Sequence, residues 1–300
     1  MTSASAPLFV AVLAGVFGLV LGSFLNVVAY RIPAGVSLLR ESRCPACDAP
    51  VRWWQNVPLV SWLALRGRCA SCRTGIPARY PLIELVTGVI FAGVAVWWAS
   101  STGLTGGTPP ATATAGDVLD ALAQAQPFAG PITAQLGVLA AYLWFAASGI
   151  VLTAIDLDTR RLPHAITSTM LVVCAIFLAV ACVLGADGWA FARAIIGALV
   201  LYAFYATLRL VRPDGMGGGD VRLAAGVGLM LAWLGWWPLV IGAFAAFALG
   251  GVFGVALLVG RRAGRRSAIP FGPWIVAGAW VGLFAGEALG QSYASLYPAL

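Results

Sequence analysis

The chain has 300 residues, 61% of them hydrophobic and only 10% charged, with a net charge of +7 and a mean hydropathy of +0.92. Soluble domains carry roughly 25% charged residues, so this composition excludes an ordinary soluble enzyme and belongs to a polytopic membrane protein. All 18 basic residues are Arg and cluster between apolar runs, so the positive charge reads as a topology signal and not as a nucleic-acid footprint.

A helix that crosses a bilayer needs about 20 apolar residues. Eight runs qualify, at approximately 8–30, 82–99, 132–155, 165–185, 189–210, 223–236, 239–259 and 269–289. The first is not a cleavable signal peptide: no basic region precedes it, its apolar stretch is too long, and basic residues follow it. The sixth is short and contains Gly, with a break expected near Pro238.

The loop at 31–81 carries eight Arg, and the loops at 156–164, 209–222 and 260–268 carry the others except Arg193. With eight spans, every Arg-bearing loop falls on one side of the membrane. The positive-inside rule then places those loops in the cytoplasm and both termini outside. Residues 100–131, rich in Gly, Thr, Ala and Pro, read as a flexible external loop. Trp97, Trp98, Trp189, Trp236 and Trp237 fall near external span ends, where aromatic belts form. No internal repeat is visible. The expected fold class is therefore an all-α polytopic membrane protein of about eight transmembrane helices with a cytoplasmic four-cysteine loop. Its expected parts are 1–99, the 100–131 loop, and a six-span part at 132–300.

The large cytoplasmic loop holds two C-x-x-C pairs, Cys44 with Cys47 and Cys69 with Cys72. Two such knuckles at this distance have the spacing of a closed, structural four-cysteine zinc site, which staples a loop too small to fold on its own core. A reducing cytoplasm argues against disulfides as the resting state; free thiols or a redox pair are the alternative. Cys174 and Cys182 lie inside a span and read as packing residues.

Two short loops between apolar runs carry Asp. One is DLDTRRLPH (156–164), with Asp156 and Asp158; the other is RLVRPDGMGGGDVR (209–222), with Asp214 and Asp220. Carboxylates at bilayer depth are costly and usually functional. A pair that shares one proton supplies a general base and a general acid, the chemistry of aspartic proteases. Gly217, Gly218 and Gly219 give Asp220 a pliable approach that a close substrate backbone needs. The bland alternative pairs these Asp with Arg160, Arg161, Arg212 or Arg222. Other classes are a proton-coupled transporter, disfavoured because the carboxylates lie at one face and not at the midplane, and a non-catalytic scaffold.

The chain closely resembles the prepilin peptidases (type IV leader peptidases), a family of intramembrane G-x-G-D aspartyl proteases. The resemblance is carried by GSFLNVVAYRIP (22–33), CPAC (44–47), NVPLVSWLALRGRCASC (56–72), RYPLIE (79–84), IDLDTRRLP (155–163), GMGGGD (215–220) and IPFGP (269–273). It implies cleavage of prepilin and pseudopilin leaders after Gly at the cytoplasmic face, and N-methylation of the new N-terminus from S-adenosylmethionine in bifunctional members. It also assigns the catalytic roles to Asp156 and Asp220, with Asp158 as the alternate or assisting residue. His164 departs from the acidic or amide residue common in the family and reads as a loop residue. No Gly-rich Rossmann fingerprint exists for S-adenosylmethionine, and the resemblance points to the N-terminal part. Asn26 and Glu84 there read as polar glue between helices, with a site role as the alternative.

Overall fold

The computed structural model describes residues 5–102, 128, 130–212, 216–260 and 270–296. Asp214, the Arg261, Arg262, Arg265 and Arg266 cluster and most of the 100–131 loop lie outside them. The described residues are mostly helical, and their only β-structure is two isolated β-bridges in the otherwise irregular cysteine loop. The long helices are α1 (Ser5–Arg31), α3 (Arg79–Ser101), α4 (Ile132–Thr159), α5 (His164–Val183), α6 (Gly188–Val211), α7 (Gly218–Leu234), α8 (Trp236–Val259) and α9 (Gly272–Ser295). A short α2 (Val60–Ala64) and a 3₁₀ turn (Trp53–Asn56) lie in the loop after α1. Seven of these helices are long and apolar enough to cross a membrane.

The eighth, α7, has 17 residues and a length of about 25 Å, short of a ~30 Å hydrocarbon core. Residues from Asp220 to Trp233 are buried along nearly its whole length, so α7 is the axis around which the second half packs. It also starts earlier than the 223–236 run. Gly218, Gly219 and Asp220 form its first turn, and the substrate loop expected at Gly217–Gly219 is largely helix. The chain breaks at Gly235, just before Pro238 as expected. Pro238 sits in the first turn of α8, where the missing N–H costs little.

Two devices let so apolar a chain pack specifically. On α9, Gly278, Gly282, Gly286 and Gly290 recur every four residues, and the first three of these back onto the α8 backbone: a Cβ on Gly286 would lie 2.6 Å from Pro238 Cα. Small residues at this spacing let helix backbones approach closely in a membrane. The second device is Arg193, the Arg that stood apart from the loops. It is buried, and its Nε and Nη2 donate to the carbonyls of Ala232 and Trp233 at 2.6 Å each. It therefore caps the C-terminus of α7, where carbonyls lack helical partners and a cation is favourable. Arg193→Leu is expected to destabilise the protein by about 2–5 kcal/mol by removing both buried, charge-assisted hydrogen bonds. Reversible unfolding in detergent measures this, and an unchanged midpoint would reject the capping role.

The Trp expectations divide. Trp189 and Trp236 are exposed as belt residues should be, whereas Trp98 is buried and its indole donates to Gln135 O. Trp97 stacks edge-on against Phe128 and Tyr142. Cys174 is buried and packed within the core cluster.

Candidate active site and metal centre

Both Asp loops turn out shorter than the apolar runs suggested, because the helices run through them. Asp156 lies in the last turn of α4 and is 4% exposed; Asp220 lies in the first turn of α7 and is 8% exposed. Asp156 Oδ2 accepts the N–H of Gly272 at 3.1 Å, where α9 begins. Asp220 Oδ2 accepts the N–H of Gly217 at 2.9 Å, folding back over its own helix start. The absence of a side chain at Gly272 matters here, since a Cβ would sit 2.8 Å from the same Asp156 oxygen.

Leu162 joins the two segments. A Cβ on Gly219 would meet Leu162 Cβ at 2.5 Å, and one on Gly272 would meet Leu162 Cδ1 at 3.4 Å. So the 160–163 turn after α4 is wedged between the starts of α7 and α9. The helix ends that carry Asp156 and Asp220 are thereby packed against one turn. Behind them Tyr205, Phe247 and Phe271 form an aromatic wall with ring centroids 5.3–6.3 Å apart. A second link between the segments is Arg222 Nη1 to His164 Nε2, 3.2 Å; His164 is the first residue of α5.

Asp158 goes elsewhere. It is exposed and ion-paired with Arg79 at the start of α3, and Arg79 Nη2 also donates to Ala154 O at 3.1 Å. Among the described residues the ion pairs are this one and those of Arg43 with Glu41 and Asp48. The alternative that Asp156 and Asp220 merely pair with loop arginines therefore finds no support among the described residues. Arg79, Gly272 and Leu162 were not singled out from the sequence, although each stands inside a quoted motif (RYPLIE, IPFGP, IDLDTRRLP).

The cysteine loop is built from two matching eight-residue knuckles, RCPACDAP (43–50) and RCASCRTG (68–75). Each is closed by a β-bridge, Arg43 with Pro50 and Arg68 with Gly75. In each, the first Cys N–H donates across the turn, to Ala49 O at 2.9 Å and Thr74 O at 2.8 Å. Asp48 and Arg73 occupy equivalent left-handed positions, φ 54° and 63°. This is a short repeat that the sequence reading did not register. The Trp62 indole, on α2, braces the second knuckle by donating to Ile76 O at 3.1 Å.

The four sulfurs lie within 4.8 Å of one another, and Cys44 Sγ to Cys72 Sγ is 3.8 Å. A tetrahedral zinc–thiolate site with bonds of about 2.3 Å requires sulfurs roughly 3.8 Å apart, so the cluster fits that dication. The thiols compete for negative charge. The Thr74 hydroxyl and backbone hold Cys72 down at about 6, and the Cys72 N–H lowers Cys69. At Cys47 the Ala49 N–H favours the thiolate, but the sulfurs of Cys72 and Cys44 outweigh it and push the thiol up to about 12. A divalent cation among the four relieves this repulsion.

Of the polar residues on α1 and α3, Asn26 Nδ2 donates to Gly22 O at 3.2 Å and to Tyr80 O at 3.1 Å, tying the two helices together. Glu84 is buried, and its Oε2 accepts the N–H of Leu59 at 2.8 Å, just before α2.

Fold and site define a class: an all-helical, multi-pass membrane protein with two buried, adjoining aspartates at helix ends and a four-cysteine module. Residues 16–98 match the family model described as Bacterial Peptidase A24 N-terminal domain, and residues 136–255 match that of the Type IV leader peptidase family. The chain is 31% identical to a prepilin leader peptidase/N-methyltransferase of Stutzerimonas stutzeri, over 97% of this chain and 96% of the relative. It is 33% identical to one so named from Neisseria gonorrhoeae, over 91% and 90%. No solved structure matches it. The chain belongs to the type IV leader peptidase family.

Proposed function

We propose that this protein is a membrane-embedded aspartyl endopeptidase that removes the leader of type IV prepilins and pseudopilins, with Asp156 and Asp220 as its catalytic pair. It then N-methylates the N-terminus it has exposed. The observation that carries the peptidase reading is a pair of buried carboxylates on helix ends that Leu162 packs together, each anchored by one backbone N–H and neither in an ion pair with a described residue. In this reading the two carboxylates share one proton once water and substrate lie between them. The ionised one takes a proton from water as the water oxygen attacks the scissile carbonyl. The protonated one donates to the carbonyl oxygen, and the proton returns to the leaving amine as the C–N bond breaks.

The pair lies at helix ends, so the scissile bond, placed between a basic leader and an apolar helix, reaches it at the membrane edge. Extended backbone is tolerable there only where protein or water satisfies it. By the Arg distribution this edge is cytoplasmic. The leader's own positive charge rests against anionic headgroups, which attract basic segments at about 1 kcal/mol per residue. Cleavage falls after Gly, as in the family.

Zinc held by Cys44, Cys47, Cys69 and Cys72 is structural, since four thiolates leave no open position. S-adenosylmethionine supplies the methyl group. In the domain division that follows, residues 1–99 carry methyl transfer and 132–300 carry proteolysis. Purified protein in detergent, incubated with a prepilin and S-adenosylmethionine, is expected to yield a product shortened by the leader and bearing one added methyl group by intact mass. An unprocessed prepilin would reject the peptidase reading.

Asp158 is the residue to separate from Asp156. An exposed ion pair is worth about 0–1 kcal/mol, so Asp158→Asn is expected to change the cleavage rate by less than about tenfold. A loss as deep as that of Asp156→Asn would make Asp158 the catalytic partner instead.

A further inference from the structure

Two hollows in the cysteine loop are used by neither the peptidase chemistry nor the metal site. One has a volume of about 360 Å³, with Glu41, Val51 and Trp53 in its wall. The other, about 350 Å³, lies against α1 with Ser23, Arg31 and Arg40 in its wall. They share Ser42 and Asn56, so they adjoin. Each alone falls in the range of small-molecule sites, roughly 300–1,000 Å³.

Their walls are held by side chains from the spans. Arg31 is buried at the end of α1, yet its guanidinium donates to backbone carbonyls of the loop: Ser37 at 3.2 Å, Leu38 at 2.9 Å, Arg40 at 2.5 Å and Glu41 at 3.3 Å. Ser23 Oγ donates to Asn56 Oδ1 at 3.4 Å, and Glu84 fixes Leu59 just beyond. Gln55 closes the 3₁₀ turn by accepting the Arg52 N–H at 2.9 Å. A zinc staple alone needs none of these bonds. They fix the segments 37–42 and 53–56, which both line the hollows, and fixed walls are what a binding site requires.

The lining chemistry is specific. Trp53 is 84% exposed, offering an aromatic face that a purine can stack on. The exposed Glu41 carboxylate pairs with Arg43 through Oε2 and keeps Oε1 to accept a hydroxyl or face a cation. Arg40 matches a carboxylate, and Asn56 and Ser42 offer polar atoms where the hollows join. Purine, diol, cation and amino-acid carboxylate are the four parts of one molecule. We propose that the two hollows form a single site for S-adenosylmethionine, with adenosine toward Trp53 and Glu41 and the amino-acid end toward Arg40. The proposal rests on the methyltransferase reading above.

Position supports it. Arg79, at the start of α3, is paired with Asp158 at the end of α4, so the loop joining α1 to α3 and the aspartates lie on one face of the bundle. An amine released at Asp156 and Asp220 reaches these hollows without crossing the membrane.

The test is calorimetric titration of the full-length, zinc-loaded protein in detergent with S-adenosylhomocysteine, the demethylated product. Wild type is expected to bind saturably. Trp53→Ala is expected to raise Kd by between about fivefold and a hundredfold, the range for losing one base–aromatic stack. Glu41→Gln is expected to raise it at least several-fold, and Trp53→Phe to restore most of what Trp53→Ala loses. Zinc content and unfolding midpoint, measured alongside, separate loss of the site from loss of the loop; the Phe rescue holds the proposal open to failure if the Ala variant unfolds. Wild-type Kd in Trp53→Ala and Glu41→Gln, with wild type still methylating, overturns the site and leaves the methyltransferase reading standing. No binding by wild type together with an unmethylated product overturns both.

Discussion

Asparagine in place of either Asp156 or Asp220 is expected to lower prepilin cleavage by on the order of 10⁴-fold, the upper range for losing a general acid–base group. The size follows from the pair acting as one unit: a single remaining carboxylate cannot be both the ionised base and the protonated acid. Asparagine keeps the shape and an acceptor oxygen, so the bonds from Gly272 and Gly217 survive and the fold with them. The double variant is expected to be no slower than either single one, because residues that act as a unit are non-additive. Cleavage is read by intact mass of the pilin, and folding by the unfolding midpoint. Substantial cleavage by either single variant would sink the shared-proton mechanism.

Much of this site was legible because membrane insertion makes charge expensive. In a chain with 11 acidic residues, an Asp beside an apolar run stands out, and Asp156 and Asp220 did. What the runs could not give was where helix ends. Hydropathy sees the apolar face and stops at the first polar residue, so DLDT and GGD were assigned to loops although backbone hydrogen bonding continues through both. That difference changes the chemistry's footing. Asp220 is fixed in a helical first turn over Gly217, and a carboxylate so held is preorganised in a way a pliable loop is not.

Partners were less legible than sites. Nothing in the spacing of Arg79 and Asp158, far apart in sequence, foretells their ion pair, and only their joining in space separates Asp158 from Asp156. Arg193 misled in the opposite sense: as a topology signal it was an exception, whereas in the fold its guanidinium bonds the last carbonyls of α7. The small-residue ladder on α9 and the paired knuckles were both present as patterns. They were missed because glycines are abundant in this chain and because the repeat is only eight residues long.

The four-cysteine cluster yields the second large effect. Cys44→Ser and Cys69→Ser are each expected to weaken zinc binding by more than about 100-fold, since second-shell changes alone cost 10–100-fold. Purified variants should then carry little zinc by metal analysis, against one zinc per chain in wild type. The consequence for structure follows from how the loop is made. Its cysteines and most of its other residues are exposed or half-buried, so the knuckles have almost no apolar core of their own, and metal binding and folding are there the same free energy. Zinc loss should therefore open the loop to trypsin at Arg40, Arg43, Arg52, Arg66, Arg68 or Arg73 while the helices stay protected. It should also abolish S-adenosylhomocysteine binding, because segment 37–42 leads directly into the first knuckle and segment 53–56 lies between the two. Unchanged zinc content in both variants would remove the metal site, and zinc-free protein that still resists trypsin would show that Arg31, Glu84 and Trp62 hold the loop without it.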